Sequence, residues 1–235
     1  MQKGDGASSE MSSALASLQD ALGRRVSVDS QDTDAARADK SGHRSAGEPL
    51  CVVFAESTED VATVLRIANS SQTPVVARGA GSGLAGGAIG SPGEIVLSLE
   101  RMNRILEIST EDRWAIVEAG VINSSLNEAA QEHGLWFAPD PASRAWSTVG
   151  GNIATNAGGL LCVKYGVTRE AVLDLTVVLA SGEIIRVGHK TVKGVTGFDL
   201  AALFVGSEGT LGIITQATVA LKPLDTSPVW TISGV

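Results

Sequence analysis

Two glycine-rich stretches hold the residues of this chain that are best suited to bind an anionic ligand. The first reads RGAGSGLAGGAIGSPG over residues 78–93, and the second reads TVGGNIATNAGG over residues 148–159. Glycine costs more backbone entropy on folding than any other residue and adds no packing, so each cluster needs a reason. Glycine N–H groups can converge on a negative charge with no Cβ in the way. The alternative for either stretch is a flexible loop.

The first stretch contains a dinucleotide-binding pattern that lacks its usual context. Residues 81–86 match the GxGxxG motif of a Rossmann unit, and Glu100 follows at about the expected distance. That motif needs a helix after its last glycine, because the helix N-terminus holds the pyrophosphate. Residues 87–93 contain three glycines and a proline, which cannot form that helix. The P-loop lysine is also absent. The remaining interpretations are a nest of N–H groups around an anion or a mobile linker.

Side chains that commonly ligate metals are scattered along the sequence. His43, His133 and His189 have no neighbouring His, Cys or acidic cluster, so no metal site is expected. Cys51 and Cys162 are far apart and belong to no CxxC motif. For a cytosolic protein, two buried free thiols are preferred over a disulfide.

The charge balance excludes several classes of partner. The net charge is −8, from 26 acidic and 18 basic residues. Binding of nucleic acid or of an anionic membrane by counterion release is therefore not expected.

The N-terminus lacks the basic and apolar regions of a signal peptide, and no apolar run approaches the roughly 20 residues of a transmembrane segment. We expect a cytoplasmic protein, whose only membrane contact would be peripheral.

The apolar pattern predicts strands and helices around the two stretches. Residues 1–13 are small and polar and are predicted to be disordered, and residues 29–48 are predicted to form a loop. Ser57 and Asp60 fit a capping box at the start of a helix. The predicted helices lie around residues 14–22, 57–68, 124–134 and 198–206. The predicted strands lie at residues 49–55, 73–78, 94–100, 105–109, 114–120, 173–180, 183–188 and 213–223.

The order of these elements predicts a two-lobed α/β (α+β) fold. Residues 49–78 form a βαβ unit, whose strands should be parallel with a right-handed crossover and whose second strand runs into the first glycine stretch. This unit belongs to a first lobe of about residues 14–100. The second lobe, about residues 101–223, contains two predicted antiparallel hairpins. A ligand between the lobes would contact glycine loops of both.

Three stretches together resemble one family. VVARGAGSGLAGGA (75–88), APDPASRAWSTVGGNIATNAGGLLCVKYG (138–166) and GFDLAALFVGSEGTLGIIT (197–215) are similar to the FAD-binding (PCMH-type) domain of the vanillyl-alcohol oxidase superfamily. Within it they most resemble D-lactate dehydrogenases and glycolate oxidase FAD-linked subunits. The resemblance covers roughly residues 45–223 and implies that FAD lies in the cleft between the two lobes.

The resemblance also implies where the cofactor lies. The loop at Gly79–Gly83 would wrap the pyrophosphate, and residues 148–159 would run along the pyrophosphate, ribityl chain and flavin edge. Ser82 occupies the position at which some relatives attach the flavin through a histidine, so non-covalent FAD is implied. The expected cofactor-binding residues are Arg78, Gly79, Ala80, Gly81, Ser82, Gly83, Leu84, Pro139, Asp140, Thr148, Gly150, Gly151, Asn152, Thr155, Asn156, Ala157, Gly158, Tyr165, Glu208, Gly212, Ile213 and Ile214.

Several of these residues have a purely structural alternative. Asn152 and Asn156 can donate to phosphate or flavin carbonyl oxygens, or each can be a turn residue that satisfies its own loop. Glu208 can accept from a ribose hydroxyl, or it can simply be exposed. Tyr165 is expected to pack on the flavin, with the interface between the lobes as its alternative position.

The resemblance implies hydride transfer from a small 2-hydroxy acid, such as D-lactate or glycolate, to flavin N5. Its relatives continue into a cap domain that supplies most substrate contacts, and residues 224–235 resemble the first strand of that domain. We therefore name no catalytic residue and expect this chain to be incomplete for catalysis. The alternative is a non-catalytic FAD-binding module or accessory subunit, which needs a partner chain to complete the site. An electron acceptor is a further expected partner. An NADPH-dependent cell-wall flavin reductase is a remote third interpretation.

Overall fold

The computed structural model describes residues 4–191 and 194–224 of the 235-residue chain, with the side chains of residues 4–12 left out. Its helices are α1 (Gly4–Leu22), α2 (Ser30–Ala35), α3 (Thr58–Ser70), α4 (Asn123–Gln131), α5 (Val149–Ala154), α6 (Cys162–Tyr165), α7 (Thr168–Ala171) and α8 (Leu200–Phe204). Its strands are β1 (Val26–Ser27), β2 (Cys51–Phe54), β3 (Val75–Arg78), β4 (Ile95–Ser98), β5 (Ile105–Ser109), β6 (Trp114–Glu118), β7 (Leu135–Trp136), β8 (Val172–Val178), β9 (Ile184–Gly188), β10 (Ile213–Ala220) and β11 (Lys222–Pro223).

The first sheet has the strand order β1-β2-β4-β3. Strands β2, β4 and β3 are parallel, as the βαβ pattern predicts, and β1 pairs with β2 in the antiparallel sense. Strand β4 lies between β2 and β3, so the two strands of the predicted unit are not neighbours. The parallel strands end at one edge, and the first glycine stretch leaves the sheet there, directly after Arg78.

Helix α3 covers this sheet and begins as its sequence predicts. The Ser57 hydroxyl accepts a hydrogen bond from the Asp60 N–H at 3.2 Å, and the Asp60 carboxylate accepts one from the Glu56 N–H at 2.9 Å. Arg25 donates to the same carboxylate at 2.7 Å. The buried side chains of α3 belong to one core with those of β2, β4 and the end of α1: Leu18, Leu22, Val53, Val61, Val64, Leu65, Ala68 and Leu97.

The second sheet is antiparallel, with the strand order β5-β6-β10-β8-β9. Both predicted hairpins, β5–β6 and β8–β9, are confirmed. The core of this sheet includes the fully buried side chains of Leu126, Phe137, Ile153 and Leu175. A short third sheet pairs β7 with β11. The predicted last strand is therefore broken between Ala220 and Lys222, and each part pairs with a different strand.

The two large sheets share buried side chains and are therefore packed together. Ala119, Val178 and Ile213 of the second sheet region belong to the same core cluster as β2, β4 and α3. A hydrogen bond of 3.0 Å also joins Thr58 Oγ1 to Thr215 Oγ1. The end of β3 and the start of β10 are thereby held on either side of one cleft.

Two sequence predictions near the N-terminus are wrong. Helix α1 begins at Gly4, although residues 1–13 were expected to lack structure; residues 1–3 lie outside the described residues. Leu18 and Leu22 anchor the end of α1 in the core, and the helix continues upstream without the apolar pattern that we used as its signal. Helix α2 lies in the predicted loop, where the Asp29 carboxylate caps it by accepting from the Gln31 N–H at 2.8 Å.

The cap-domain strand predicted for residues 224–235 falls almost entirely on residues 225–235, which lie outside the described residues. In the described part of the chain, no helix is long and apolar enough to cross a membrane.

Candidate cofactor-binding site

A cavity of about 780 Å³ lies between the two large sheets. The end of β3 and the first glycine stretch form one wall, and α5 with the start of β10 forms the opposite wall. Its volume falls in the range of roughly 300–1,000 Å³ that is usual for ligand and cofactor sites. Both glycine-rich stretches of the sequence thus meet at a single site.

The backbone of residues 79–88 provides the hydrogen-bond donors of this site. The segment has no regular structure, and Gly81 and Gly86 have φ angles of 65° and 82°, which favour glycine. The backbone N–H groups of these ten residues donate no hydrogen bond to any other described residue. Since backbone N–H groups away from water need acceptors, this loop is equipped to receive an anion. The absence of a helix after Gly86 also agrees with the rejection of a Rossmann unit.

Arg78 holds the base of this loop. Its guanidinium donates to the Ala88 carbonyl at 2.6 Å and to the Ala35 carbonyl at 3.4 Å. A Cβ at Gly81 would lie 2.5 Å from Arg78 Nη2, so the loop passes directly over the guanidinium. Burial lowers the pKa of Arg78, while Glu100 and Asp39 act in the opposite direction. Arg78 therefore places a positive charge beneath the free N–H groups.

The second glycine stretch is not a simple loop, because its first half forms α5. Thr148 caps this helix by accepting from the Gly151 N–H at 3.1 Å. The Gly150 N–H donates to the Ala119 carbonyl at 2.8 Å, and a Cβ at Gly150 would lie 2.5 Å from the Ala119 Cβ. A Cβ at Gly79 would lie 2.5 Å from Thr148 Oγ1. Glycine at position 79 thus permits close packing of the two walls, and glycine at position 150 permits close packing of α5 on the residue that follows β6.

The side chains of Asn152 and Asn156 both make hydrogen bonds within the protein. Asn152 is 3% exposed, and its amide donates to Ser147 Oγ at 3.1 Å and accepts from Asn123 at 3.0 Å. Asn156 has a φ angle of 48° and accepts from the Arg169 N–H at 3.0 Å. Both sets of contacts agree with the structural alternative: the Asn152 amide is paired within the protein, and the Asn156 carboxamide oxygen accepts from the backbone.

The structure brings most of the predicted residues to the cavity. Those that line it are Arg78, Gly79, Ala80, Gly81, Ser82, Gly83, Leu84, Thr148, Gly150, Gly151, Asn152, Thr155, Ala157, Gly158, Glu208, Gly212, Ile213 and Ile214. Glu208 is exposed and has a φ angle of 51°. Its Oε2 lies 2.8 Å from the position that a Cβ at Gly87 would occupy, so the carboxylate faces the loop as a hydrogen-bond acceptor.

Four predicted residues do not line the cavity: Pro139, Asp140, Asn156 and Tyr165. The Pro139 carbonyl accepts from Asn123 Nδ2 at 3.1 Å, and the Asp140 carboxylate accepts from the Leu161 N–H at 3.1 Å. The Tyr165 ring packs edge-on against Trp136, with 5.0 Å between the ring centroids. The contact that the structure shows for Tyr165 is this aromatic pair, and its contact with the flavin stays a prediction.

Several lining residues were missed by sequence reasoning. Pro141, Ala142, Ser143 and Trp146 lie within a stretch that the family resemblance had marked, so their position gave a usable signal. Lys40 lies in the predicted loop of residues 29–48, outside the stretches that resemble the family, so the sequence did not mark it as a site residue. Its ammonium nitrogen lies 5.5 Å from the centroid of the Trp146 ring. Among the described residues, no three His, Cys, Asp or Glu side chains are grouped so that they could hold a metal ion.

Comparison with known proteins identifies the kind of domain. Residues 49–188 match the family model described as "FAD binding domain". The glycolate oxidase subunit GlcD of Bacillus subtilis is 48% identical over 74% of this chain and 37% of its own length. A D-lactate dehydrogenase of Archaeoglobus fulgidus is 49% identical over 76% of this chain and 40% of its own. The chain thus spans about two fifths of the length of these curated relatives.

A solved structure supports the same assignment. The 4-ethylphenol oxidase of Gulosibacter chungangensis superposes on 92% of this chain and 43% of its own, with a TM-score of 0.77 and 27% sequence identity. The mixed α/β architecture with several sheets is therefore that of PCMH-type flavoenzymes, as the sequence predicts.

The residues present fit FAD. This cofactor carries two negative phosphate charges, and the chain itself has a net charge of −8. The ten free N–H groups of residues 79–88 and the guanidinium of Arg78 supply the donors and the positive charge that a diphosphate needs. The cavity is lined largely by small and apolar residues, which leaves room for an extended ligand. The chain therefore belongs to the FAD binding domain family, and FAD is its cofactor.

Proposed function

We propose that this chain is the FAD-binding part of a flavin-dependent 2-hydroxy acid dehydrogenase or oxidase. Relatives named glycolate oxidase subunit and D-lactate dehydrogenase support this substrate class. The observation that carries the proposal is the loop of free N–H groups facing α5 across one cavity. A small 2-hydroxy acid such as glycolate or D-lactate is the proposed substrate.

In this proposal each wall has its own task. The N–H groups of residues 79–88 bind the diphosphate, and Arg78 keeps the loop in shape by its bond to the Ala88 carbonyl. The Glu208 carboxylate accepts from a hydroxyl of the cofactor. Helix α5 keeps the opposite wall in place and helps to exclude water. When bound, FAD would supply the redox chemistry of the reaction.

We further propose that the cofactor is held without a covalent bond. Ser82 lines the cavity at the position where the family resemblance implies a histidine in some relatives. In the described part of the chain, no histidine lines the cavity. When the chain is precipitated with acid, intact FAD should therefore be released and should appear in the supernatant.

A non-catalytic FAD-binding module, completed by a partner chain, is the second candidate. It is favoured by three exposed apolar side chains, Leu160, Val163 and Phe198, which are 92%, 99% and 94% exposed. An exposed apolar side chain is stabilised when a further protein surface covers it and removes it from water. A relative whose name contains the word subunit supports the same idea.

A chimaera separates the two candidates. The matched segment of the Bacillus subtilis glycolate oxidase subunit is replaced by the corresponding 175 residues of this chain. The unmodified relative is the control. If this chain carries a catalytic flavin site, the purified chimaera should hold FAD, and anaerobic glycolate or D-lactate should bleach its visible absorption. A chimaera that folds and holds FAD but is not bleached by either acid contradicts the enzyme proposal.

A further inference from the structure

Lys40 brings a positive charge to the cavity from a part of the chain that the family resemblance does not cover. It is exposed and lines the cavity together with the free loop. Its backbone N–H donates to the Gly83 carbonyl at 3.1 Å, so its main chain is attached to that loop. The position of Lys40 is therefore tied to the segment that receives the diphosphate.

The ammonium group of Lys40 has no oxygen partner among the described residues. Neither a hydrogen bond nor an ion pair joins it to a carboxylate or a carbonyl in the described part of the chain, and its contact is with the Trp146 ring at 5.5 Å. Trp146 also lines the cavity and is 39% exposed. Since a cation above an aromatic face at an exposed site is held only weakly, the ring keeps the ammonium near the cavity without binding it firmly.

The other charged groups of the cavity do not duplicate this role. The Arg78 guanidinium is already committed to two backbone carbonyls. Glu208 is negative, and Asp39 next to Lys40 carries a carboxylate oxygen that is buried and unpartnered. An approaching dianion thus meets two acidic side chains near the loop, and Lys40 is the cation that is free to move towards it.

We propose that Lys40 is a further cofactor-binding residue, whose ammonium moves from the Trp146 ring to pair with the diphosphate of FAD. This inference rests on the FAD-binding role of the cavity. Trp146 acts as a positioning residue, because it holds the ammonium at the edge of the cavity before the cofactor arrives. Lys40 and Trp146 are 106 positions apart in the sequence and both line the cavity, so their contact forms only in the folded chain.

The test compares two lysine substitutions that remove the same charge. Lys40→Met keeps the aliphatic stem and removes the ammonium. Lys190→Met is the matched control, because Lys190 lies 4.3 Å from the centroid of the Trp114 ring but does not line the cavity. The dissociation constant for FAD is measured by quenching of flavin fluorescence, at low salt and at high salt, and thermal unfolding checks that each variant is folded.

We expect Lys40→Met to weaken FAD binding about five- to tenfold at low salt, as for the loss of one charge-assisted contact. The difference from the wild-type chain should shrink at high salt, because salt screens an exposed charge pair. Lys190→Met should bind FAD as the wild-type chain does. Equal affinities of wild type and Lys40→Met, or equal losses in both variants, overturn the proposal. A folded wild-type chain that binds no FAD instead overturns the cofactor assignment itself.

Discussion

At the scale of single residues, the glycines of the two stretches have two different functions. Gly79 and Gly150 permit close packing of protein segments, because a Cβ at either would lie 2.5 Å from a neighbouring side-chain atom. Gly83 has open space, with Asp39 Oδ2 as its nearest neighbour at 3.9 Å. The sequence predicted that both clusters bind a ligand, but it could not distinguish the glycines that permit close packing from those that face the cavity. That distinction depends on Ala119 and Thr148, which reach these positions only in the folded chain.

Gly83→Ala should weaken FAD binding and leave the fold intact. An added methyl group meets no protein atom closer than 3.9 Å, and Gly83 lines the cavity beside the free N–H groups. We expect a loss of affinity of about tenfold and a change in the free energy of unfolding within about 0.5 kcal/mol. A titration with FAD and a urea unfolding curve measure the two quantities. Unchanged affinity would show that this position does not approach the cofactor.

Gly150→Ala, unlike Gly83→Ala, should destabilise the folded chain. The added Cβ would lie 2.5 Å from the Ala119 Cβ and 2.8 Å from the Ala119 carbonyl oxygen. Ala119 directly follows β6. Overpacking of this kind costs about 1–3 kcal/mol. Urea unfolding should therefore show a lower midpoint than in the wild-type chain. A midpoint equal to that of Gly83→Ala contradicts the assignment of Gly150 to packing.

At the scale of elements, several local signals predicted the structure, whereas the order of the parallel strands had no such signal. The hairpins β5–β6 and β8–β9 and the cap of α3 depend on residues close in sequence, and all three are confirmed. The insertion of β4 between β2 and β3 depends on which strands meet, and this has no local signal. Helix α5 was missed because two of its six residues are glycines, which are poor helix formers; its packing against β6 compensates.

Ser57→Ala tests the cap of α3 separately from the cofactor site. The substitution removes the acceptor for the Asp60 N–H, so we expect a loss of about 1 kcal/mol in the free energy of unfolding. Ser57 does not line the cavity, and the dissociation constant for FAD should not change. Urea unfolding and an FAD titration provide the two readouts. A stability equal to that of the wild-type chain would show that the cap contributes nothing.

At the scale of the whole molecule, the sequence predicted two lobes with FAD between them, and the family resemblance carried most of that prediction. The sequence could not predict the contribution of residues 36–45, which run beside the first glycine loop and place Lys40 at the cavity.

The two cysteines differ in their burial. Cys51 is fully buried, whereas Cys162 is only half-buried, so the expectation of two buried thiols is correct for one of them.

The thiols should therefore react at very different rates. Burial raises the pKa of Cys51 to about 12 from its usual 9.0. Its neutral thiol thus contributes stability that is fully present below pH 9.0 and is lost as the pH rises through about 12. With an aromatic disulfide reagent at neutral pH, we expect Cys162 to react in the native chain and Cys51 only after denaturation. A Cys162→Ser variant that still reacts rapidly before unfolding contradicts the packing of the first sheet.

The most direct test of the central claim is a titration of the purified, refolded apo chain with FAD, followed by its visible spectrum. Our account predicts a single FAD per chain, a protein-bound flavin spectrum, and release of the intact cofactor by acid precipitation. A folded chain that takes up no FAD would contradict the account. A flavin that stays with the acid-precipitated protein would contradict the proposal of non-covalent binding but not the assignment of FAD as cofactor.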